Sequence, residues 1–351
     1  MEINEIHVDG YEKVVHAVDP DSGLDAFIAV HDTTLGPGLG GIRMQQYESD
    51  DACMTDAIRL AKGMTYKAAI AETGQGGGKA VINHDPNAKT EDLFLAMGDF
   101  IESLDGLYVA AEDMNMTVAN LETIATRTKH VSGLGVERGS SGNPSPMTAY
   151  GCLIALKATA KEKYGDDSLN GREVSIQGIG AVGSDLAKRC IQEGATVSVC
   201  DLDQNKVDTF ATEFDVVALQ GPDAALTRPC DFLAPCARGG ILNKSTIPHL
   251  QCEAIAGAAN NQLLTDEDAQ RLENRGILYA PDYVVNAGGV INIAGEFQPG
   301  GFNLDAVRER CESINRALAQ IFEIARKQSI TTAQATNHLA QQRIANARNS
   351  A

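Results

Sequence analysis

Apolar residues fall along this chain in two rhythms. In Ala26–Val30 (AFIAV) they run without a break and predict a strand. In Asp51–Lys62 (DACMTDAIRLAK) they recur at helical spacing and predict a helix leading into Gly63. Thr90–Leu104 predicts another helix, with Leu93, Ala96, Met97 and Ile101 on one face. Gly133–Pro146 (GLGVERGSSGNPSP) interrupts both rhythms with Gly, Ser and Pro, and reads as a linker or flexible loop. Beyond it, predicted strands and helices alternate: Glu173–Gln177, Ala181–Gln192, Thr196–Cys200, then Gln204–Phe214. Short apolar runs follow at Asp231–Ala234 and Ala254–Ala256. That alternation predicts βαβ units and a parallel sheet. An amphipathic helix is expected over Leu304–Gln328 and a last one over Thr332–Asn346, closing the chain back onto its first domain.

A length of 351 residues suits two domains with sizeable cores. The net charge of −18 argues against a nucleic-acid surface and against anionic membranes. The N-terminal MEINEIHVDGYEKVV lacks the apolar core of a signal peptide, and no 18-residue apolar run offers a membrane span. Of the 8 cysteines none forms C-x-x-C or pairs with His at zinc spacing. Reduced, mostly buried thiols in a cytoplasmic protein are expected, with no metal.

Two stretches carry candidate chemistry. In Gly63–Ala80 (GMTYKAAIAETGQGGGKA), Lys67 and Lys79 flank three consecutive glycines. A phosphate loop fails here, because Thr73 stands where its first Gly belongs and Ala80 replaces its Ser/Thr. A glycine turn with a surface lysine is the plain alternative. The second stretch, Gly178-Ile-Gly180-Ala181-Val182-Gly183, follows a predicted strand and opens a predicted helix, as a dinucleotide fingerprint requires. Its helix N-terminus offers unpaired N–H groups to a pyrophosphate. Asp201 ends the next predicted strand, where a carboxylate bonds both ribose hydroxyls and repels a 2′-phosphate, which favours NAD. Asp203 competes with it as a helix cap. With a nicotinamide cofactor, Lys67, Lys79 and Asp113 (in AAEDMN) would suit an amino acid: a cation for its carboxylate, an acid/base lysine and an anion for its ammonium.

The chain resembles the Glu/Leu/Phe/Val amino-acid dehydrogenases, and among them the leucine-acting members. The matching stretches are HDTTLGPGLGG (31–41), RLAKGMTYK (59–67), GGGK (76–79), AED (111–113), SSGNPSPMTAYG (140–151), APCARGG (234–240), GAANNQL (257–263) and YAPDYVVNAGGVIN (279–292). The resemblance implies an α/β fold of two domains with an interdomain cleft. Residues 1–133 plus 329–351 would form the substrate and oligomerisation domain, and 134–328 the Rossmann-type NAD-binding domain.

It implies that Lys67 holds the substrate α-carboxylate, that Lys79 is the acid/base catalyst, and that Asp113 shares in proton transfer. The glycines before Lys79 would let backbone approach the substrate. Thr148, Ala237, Asn260 and Asn261 would line the cofactor with Gly178, Gly180, Ala181, Val182, Gly183 and Asp201. Leu39, Gly40, Gly41, Ala111, Asn286, Val290 and Ile293 would meet the substrate. Leu39, Ala111, Val290 and Ile293 are apolar, which disfavours glutamate. The methyl of Ala111 narrows the pocket toward leucine, valine and isoleucine, deaminated to 2-oxo acids and ammonia. Aromatic amino acids, or a catalytically silent NAD-binding protein, are the other readings. A homo-oligomer, dimer or higher, is expected, and the chain lacks the longer basic tail of the octameric leucine enzymes. Glu72 and Arg238 depart from those enzymes and are expected to alter the charge around the substrate.

Overall fold

The structure, a computed structural model, describes residues 1–350. The chain divides into two compact units. Unit 1 comprises Met1–Asn143, Ile293–Asn303 and the chain from Ala340 onward; unit 2 comprises Pro144–Asn292 and Leu304–Leu339.

Unit 1 is built on six strands: β1 (Glu2–Glu5), β2 (Lys13–Asp19), β3 (Leu24–Asp32), β4 (Gly38–Gln45), β5 (Gly76–Asn83) and β6 (Tyr108–Glu112). Their order is β1-β2-β3-β5-β4-β6. The β3–β5 pair is antiparallel, whereas β5–β4 and β4–β6 are parallel. The unbroken apolar run in β3 has a simple cause: both faces are covered. Ala26, Ile28 and Val30 join one core with Leu93, Met97, Phe100 and Ile101 of α2 (Glu91–Glu102). Phe27 and Ala29 join another with Cys53, Ala57 and Ala61 of α1 (Asp50–Ala71). Side chains alternating across a strand divide one run between two cores.

Helix α1 starts where Ser49 accepts the Ala52 N–H at 3.2 Å, with Asp50 and Asp51 in its first turn. It does not stop near Gly63 as expected. Gly63 is exposed, and buried Thr65, Ala68 and Ala69 carry the covered face onward. Its end is fixed instead by Glu72 at φ 54° and by Arg343, which donates to the carbonyls of Ala69 (3.1 Å) and Ile70 (2.7 Å) and pairs with Glu72 (3.1 Å). A short helix, α3 (Val118–Ile124), packs with α2 on the opposite face of the sheet.

Unit 2 holds a parallel sheet ordered β12-β11-β10-β7-β8-β9. The strands are β7 (Glu173–Gln177), β8 (Thr196–Cys200), β9 (Val216–Ala218), β10 (Cys230–Pro235), β11 (Cys252–Ile255) and β12 (Leu278–Tyr279). From β7 the chain winds outward to β9, returns to β10 beside β7, and winds the other way. This is the doubly wound dinucleotide-binding order, with its switch point between β7 and β10. Helices α4 (Ser145–Tyr164), α5 (Ala181–Gln192) and α6 (Gln204–Glu213) cover it in part. The helix expected over 304–328 is broken into Leu304–Arg310 and Glu312–Gln328, and the last helix runs Thr332–Ser350.

The stretch 133–143 belongs to unit 1, and the chain passes to unit 2 at Asn143/Pro144, where the sequence had suggested 133/134. One side chain accounts for this. Glu296 Oε1 accepts the N–H of Gly133 (3.0 Å) and of Ser141 (2.9 Å), and the hydroxyls of Ser140 (2.7 Å) and Ser141 (2.5 Å).

Candidate active site

In β5, Lys79 stands opposite Ala29 of β3, so its side chain leaves the sheet on the face that α1 covers. Leu39 and Gly41 of β4 pair with Val109 and Ala111 of β6, and Asp113 lies just past the end of β6. Lys79 and Asp113 therefore sit on strands two places apart, about 9–10 Å between backbones. Their side chains nevertheless meet: Lys79 Nζ donates to Asp113 Oδ2 at 2.5 Å. Between them run Gly40 and Gly41. A Cβ at Gly40 would come 1.7 Å from the Gly78 carbonyl oxygen, and one at Gly41 would come 2.6 Å from Asp113 Cβ. Gly41 leaves room for this pair, and Gly40 lets β4 lie against the Gly78 carbonyl.

The glycines of GGGK serve packing within unit 1. A Cβ at Gly77 would strike Thr65 of α1 (2.1 Å), and one at Gly78 the Tyr108 ring (2.6 Å). The ring in turn donates its hydroxyl to the Gly40 carbonyl at 2.6 Å. The space that a side chain would take at Gly77 or Gly78 is filled by protein.

Lys79 is 5% exposed. Burial disfavours its ammonium and holds its pKa below the ordinary lysine value; Asp113 pulls the other way and Arg43 adds to the depression. Asp113 also loses solvent to burial, which alone would raise its pKa. The Lys79 charge and hydrogen bond, then Arg43, outweigh that and hold it below the usual carboxylate range. Sequence reasoning missed Arg43. Its Nε donates to Asp113 Oδ2 at 3.2 Å and its Nη1 to Asp56 Oδ2 at 2.9 Å, while Tyr47 donates to the same Asp56 oxygen at 2.7 Å. The available signal was a charged residue inside the otherwise apolar and glycine-rich GLGGIRM of β4.

Lys67 lies half-buried on α1, the helix covering this face. Leu39 and Ala111 are buried on the same face of β4 and β6. Asn286, Val290 and the cofactor candidates belong to unit 2, whereas Ile293 begins a segment of unit 1.

In unit 2 the turn after β7 has the shape the fingerprint demands. Gly178 has φ 92°, and a Cβ there would press on Ala237 at 2.7 Å, so the turn packs on the loop after β10. A Cβ at Gly183 would come 1.9 Å from the Gly178 carbonyl oxygen. Gly180, by contrast, would meet nothing within 4 Å, and no side chain caps the α5 N-terminus at Ala181 and Val182. Open space beside uncapped N–H groups fits a pyrophosphate.

The two aspartates hold separate positions: Asp203 accepts the Lys206 N–H and caps α6, while Asp201 accepts the Ile179 N–H at 2.8 Å, tying β8 to the glycine turn. Around the other half, Asn286 Nδ2 donates to Asn260 Oδ1 (2.7 Å) and the Ala258 carbonyl (3.1 Å). Asn261 has φ 52° and accepts the Gly240 N–H at 2.7 Å. Thr148 donates to Pro144 O at 3.0 Å, and a Cβ at Gly289 would come 2.6 Å from its hydroxyl. Three sequence stretches, around 144–148, 257–261 and 286–290, thus converge within unit 2.

A doubly wound unit with an open phosphate turn, in a chain whose other unit pairs a buried lysine with a half-buried carboxylate, defines a dinucleotide-dependent oxidoreductase. Residues 11–130 match the Glu/Leu/Phe/Val dehydrogenase dimerisation domain, and residues 139–204 and 199–351 match the Glutamate/Leucine/Phenylalanine/Valine dehydrogenase domain. The chain belongs to this family, whose membership implies a nicotinamide dinucleotide cofactor. It is 46% identical over 341 residues to leucine dehydrogenase of Bacillus cereus, covering 97% of this chain and 92% of that one. With phenylalanine dehydrogenase of Lysinibacillus sphaericus it shares 42% over 339 residues, 95% and 88% of the two chains. The crystal structure of L-tryptophan dehydrogenase from Nostoc punctiforme is similar with a TM-score of 0.87 at 39% identity, covering 97% of each chain.

Proposed function

We propose that the protein catalyses the NAD-dependent oxidative deamination of branched-chain L-amino acids (leucine, valine and isoleucine) to 2-oxo acids and ammonia, and the reverse reductive amination. The observation that carries this reading is the contact of buried Lys79 with Asp113 at 2.5 Å, in a chain similar over most of its length to leucine dehydrogenases. Unit 1 is assigned the substrate and self-association, unit 2 the cofactor. The bound nicotinamide supplies the acceptor for the substrate's α-hydride. Lys67 pairs with the substrate α-carboxylate, and Asp113 steers its ammonium. Lys79 Nζ removes a proton from the water that attacks the iminium carbon, then returns it as the carbinolamine collapses, with Asp113 sharing the proton. A lysine held below its ordinary pKa is fitted to that alternation.

In unit 2, N–H groups at Gly180, Ala181 and Val182 take the pyrophosphate, with Gly178, Gly183 and Ala237 shaping the turn. Asp201 takes the ribose hydroxyls and selects NAD over NADP. Thr148, Asn260 and Asn261 orient the nicotinamide. Leu39, Gly40, Gly41, Ala111, Asn286, Val290 and Ile293 surround the substrate, and the enzyme is a homo-oligomer, at least a dimer. The test is a panel of L-amino acids at equal concentration with NAD, alongside Lys79→Ala and Ala111→Gly. Branched-chain preference, loss of turnover in Lys79→Ala with NADH still bound, and a relative gain on phenylalanine in Ala111→Gly are expected. Wild-type preference for phenylalanine or tryptophan would replace the substrate assignment with the aromatic one.

A further inference from the structure

Charged side chains that act on Lys79 include Asp113 past the end of β6, Arg43 from β4 and Asp56 from α1. β3 contributes only Ala29 opposite the lysine. The Asp113 oxygen that receives the Lys79 ammonium at 2.5 Å also receives Arg43 Nε at 3.2 Å. Arg43 is itself anchored behind, by Asp56 at 2.9 Å, and Asp56 is held by the Tyr47 hydroxyl at 2.7 Å and by Arg59 at 3.0 Å. Arg43 and Asp56 have side chains only 16% and 14% exposed, so this brace is shielded from solvent screening.

We propose that Arg43 is a positioning residue for the proposed deamination: braced by Asp56, its guanidinium fixes Asp113 Oδ2 where Lys79 meets it and places a second cation on that oxygen. A carboxylate facing Lys79 alone would stabilise the ammonium and hold the base in its inactive form. Arg43 takes part of that oxygen's charge and adds a repelling cation, which returns Lys79 toward the neutral amine. Asp56 also acts on Lys79 itself with the opposite sign, as a second anion. Arginine suits the task because its fixed fork reaches both carboxylates at once. Arg43 acts through Asp113, and its effect falls on turnover and on the pH at which the base becomes available.

The inference rests on the amino-acid dehydrogenase reading. Its test is kcat and KM for leucine oxidation against pH, with NADH binding followed by fluorescence, for the full-length protein and the Arg43→Gln, Arg43→Lys and Asp56→Asn variants. Arg43→Gln is expected to lower kcat about tenfold and to move the acidic limb of the profile up by about one pH unit, the scale of one nearby charge. Arg43→Lys keeps the cation and restores most of the limb position, though less of kcat. Asp56→Asn moves the limb the other way, to lower pH. NADH binding stays within about twofold throughout, since the cofactor residues lie in unit 2. General damage to the fold would not move two limbs in opposite directions. An Arg43→Gln limb that stays put, or moves with that of Asp56→Asn, overturns the proposal. If Arg43→Gln does not fold by circular dichroism, the Asp56→Asn limb decides, and its failure to move to lower pH overturns it. A wild type inactive on every amino acid defeats the function reading itself; an active wild type with unmoved variant limbs defeats only the role of Arg43.

Discussion

Replacing Gly41 by alanine adds one methyl at the point where the proposed mechanism tolerates least. The backbone there is outside the left-handed region, so the substitution adds crowding alone. The new Cβ would stand 2.6 Å from Asp113 Cβ and 2.7 Å from the Glu112 carbonyl oxygen. Carbon atoms pack at about 3.5–4.0 Å, so Asp113 must yield by about 1 Å. The Lys79–Asp113 contact, 2.5 Å in the native chain, then opens to about 3.5 Å and ceases to be a sound hydrogen bond. A misplacement of about 1 Å at reacting groups costs about 10²-fold in rate. The overpacking itself costs about 1–3 kcal/mol of stability. Gly41→Ala should therefore fold with a lowered Tm, bind NADH as wild type does, and lose about two orders of magnitude in kcat for leucine. Steady-state kinetics with a fluorescence titration and a thermal melt measure all three. A kcat within a few-fold of wild type would falsify the claim that Asp113 must stay where Gly41 lets it stand.

Asp201→Ser should raise catalytic efficiency with NADP relative to NAD, because it removes the anion expected beside a 2′-phosphate; an unchanged ratio in paired kinetics argues against that placement of the ribose. Arg343→Ala removes a charged donor from two α1 carbonyls and from Glu72, and should lower stability by about 1.5–3 kcal/mol in urea melts; a loss of a few tenths would mean that water caps α1 equally well. Asp56 has a folded-state pKa below the ordinary 3.8: burial alone would raise it, but Tyr47, Arg59 and Arg43 together prevail. Its contribution to stability is fully present above that ordinary value and lost as pH falls through the folded one. The stability gap between wild type and Asp56→Asn should thus be full near pH 6 and shrink as pH falls below the ordinary carboxylate value, read by denaturant titration. A gap independent of pH would show that the carboxylate's charge is not what matters.

The parts of this protein legible in its sequence are those whose cause is local. The Gly178–Gly183 turn is written in one hexapeptide and in the period change from strand to helix around it. The strand Ala26–Val30 shows as a run because both its faces are covered. What was not legible depends on partners far along the chain. The end of α1 misled because an exposed Gly63 costs a helix only about 1 kcal/mol, while the cap that stops it, Arg343, comes from the last helix. Arg43 has its partners at Asp56 and Asp113, on two other elements, so no spacing reveals it. The glycines of β4 and β5 announced a close approach, but only the strand order tells what approaches: a tyrosine ring, a helix and a neighbouring carboxylate. The linker-like composition of 133–146 gave no hint that Glu296, over 150 residues away, ties most of it to unit 1.

Glu72 and Arg238, which the resemblance marks as departures from the leucine-acting enzymes, look in sequence like changes to the field around the substrate. In the structure each already faces an opposite charge. Glu72 pairs with Arg343 at 3.1 Å, and Arg238 with Asp223 at 2.7 Å. Arg238 and Asp223 are both exposed, so water and salt screen them and their pairing contributes at most about 1 kcal/mol. A neutralised pair at that exposure has little reach, whereas the more shielded Arg43–Asp113–Lys79 cluster acts over short distances at a lower dielectric. Asp113, Arg43 and Asp56 act on Lys79 directly. Glu72 belongs to the cap of α1. Arg238 belongs to the end of β7, because Asp223 also accepts the side-chain amide of Gln177, the residue before the glycine turn, at 2.9 Å. Its contacts bear on the glycine turn after β7 and not on the charge around Lys79.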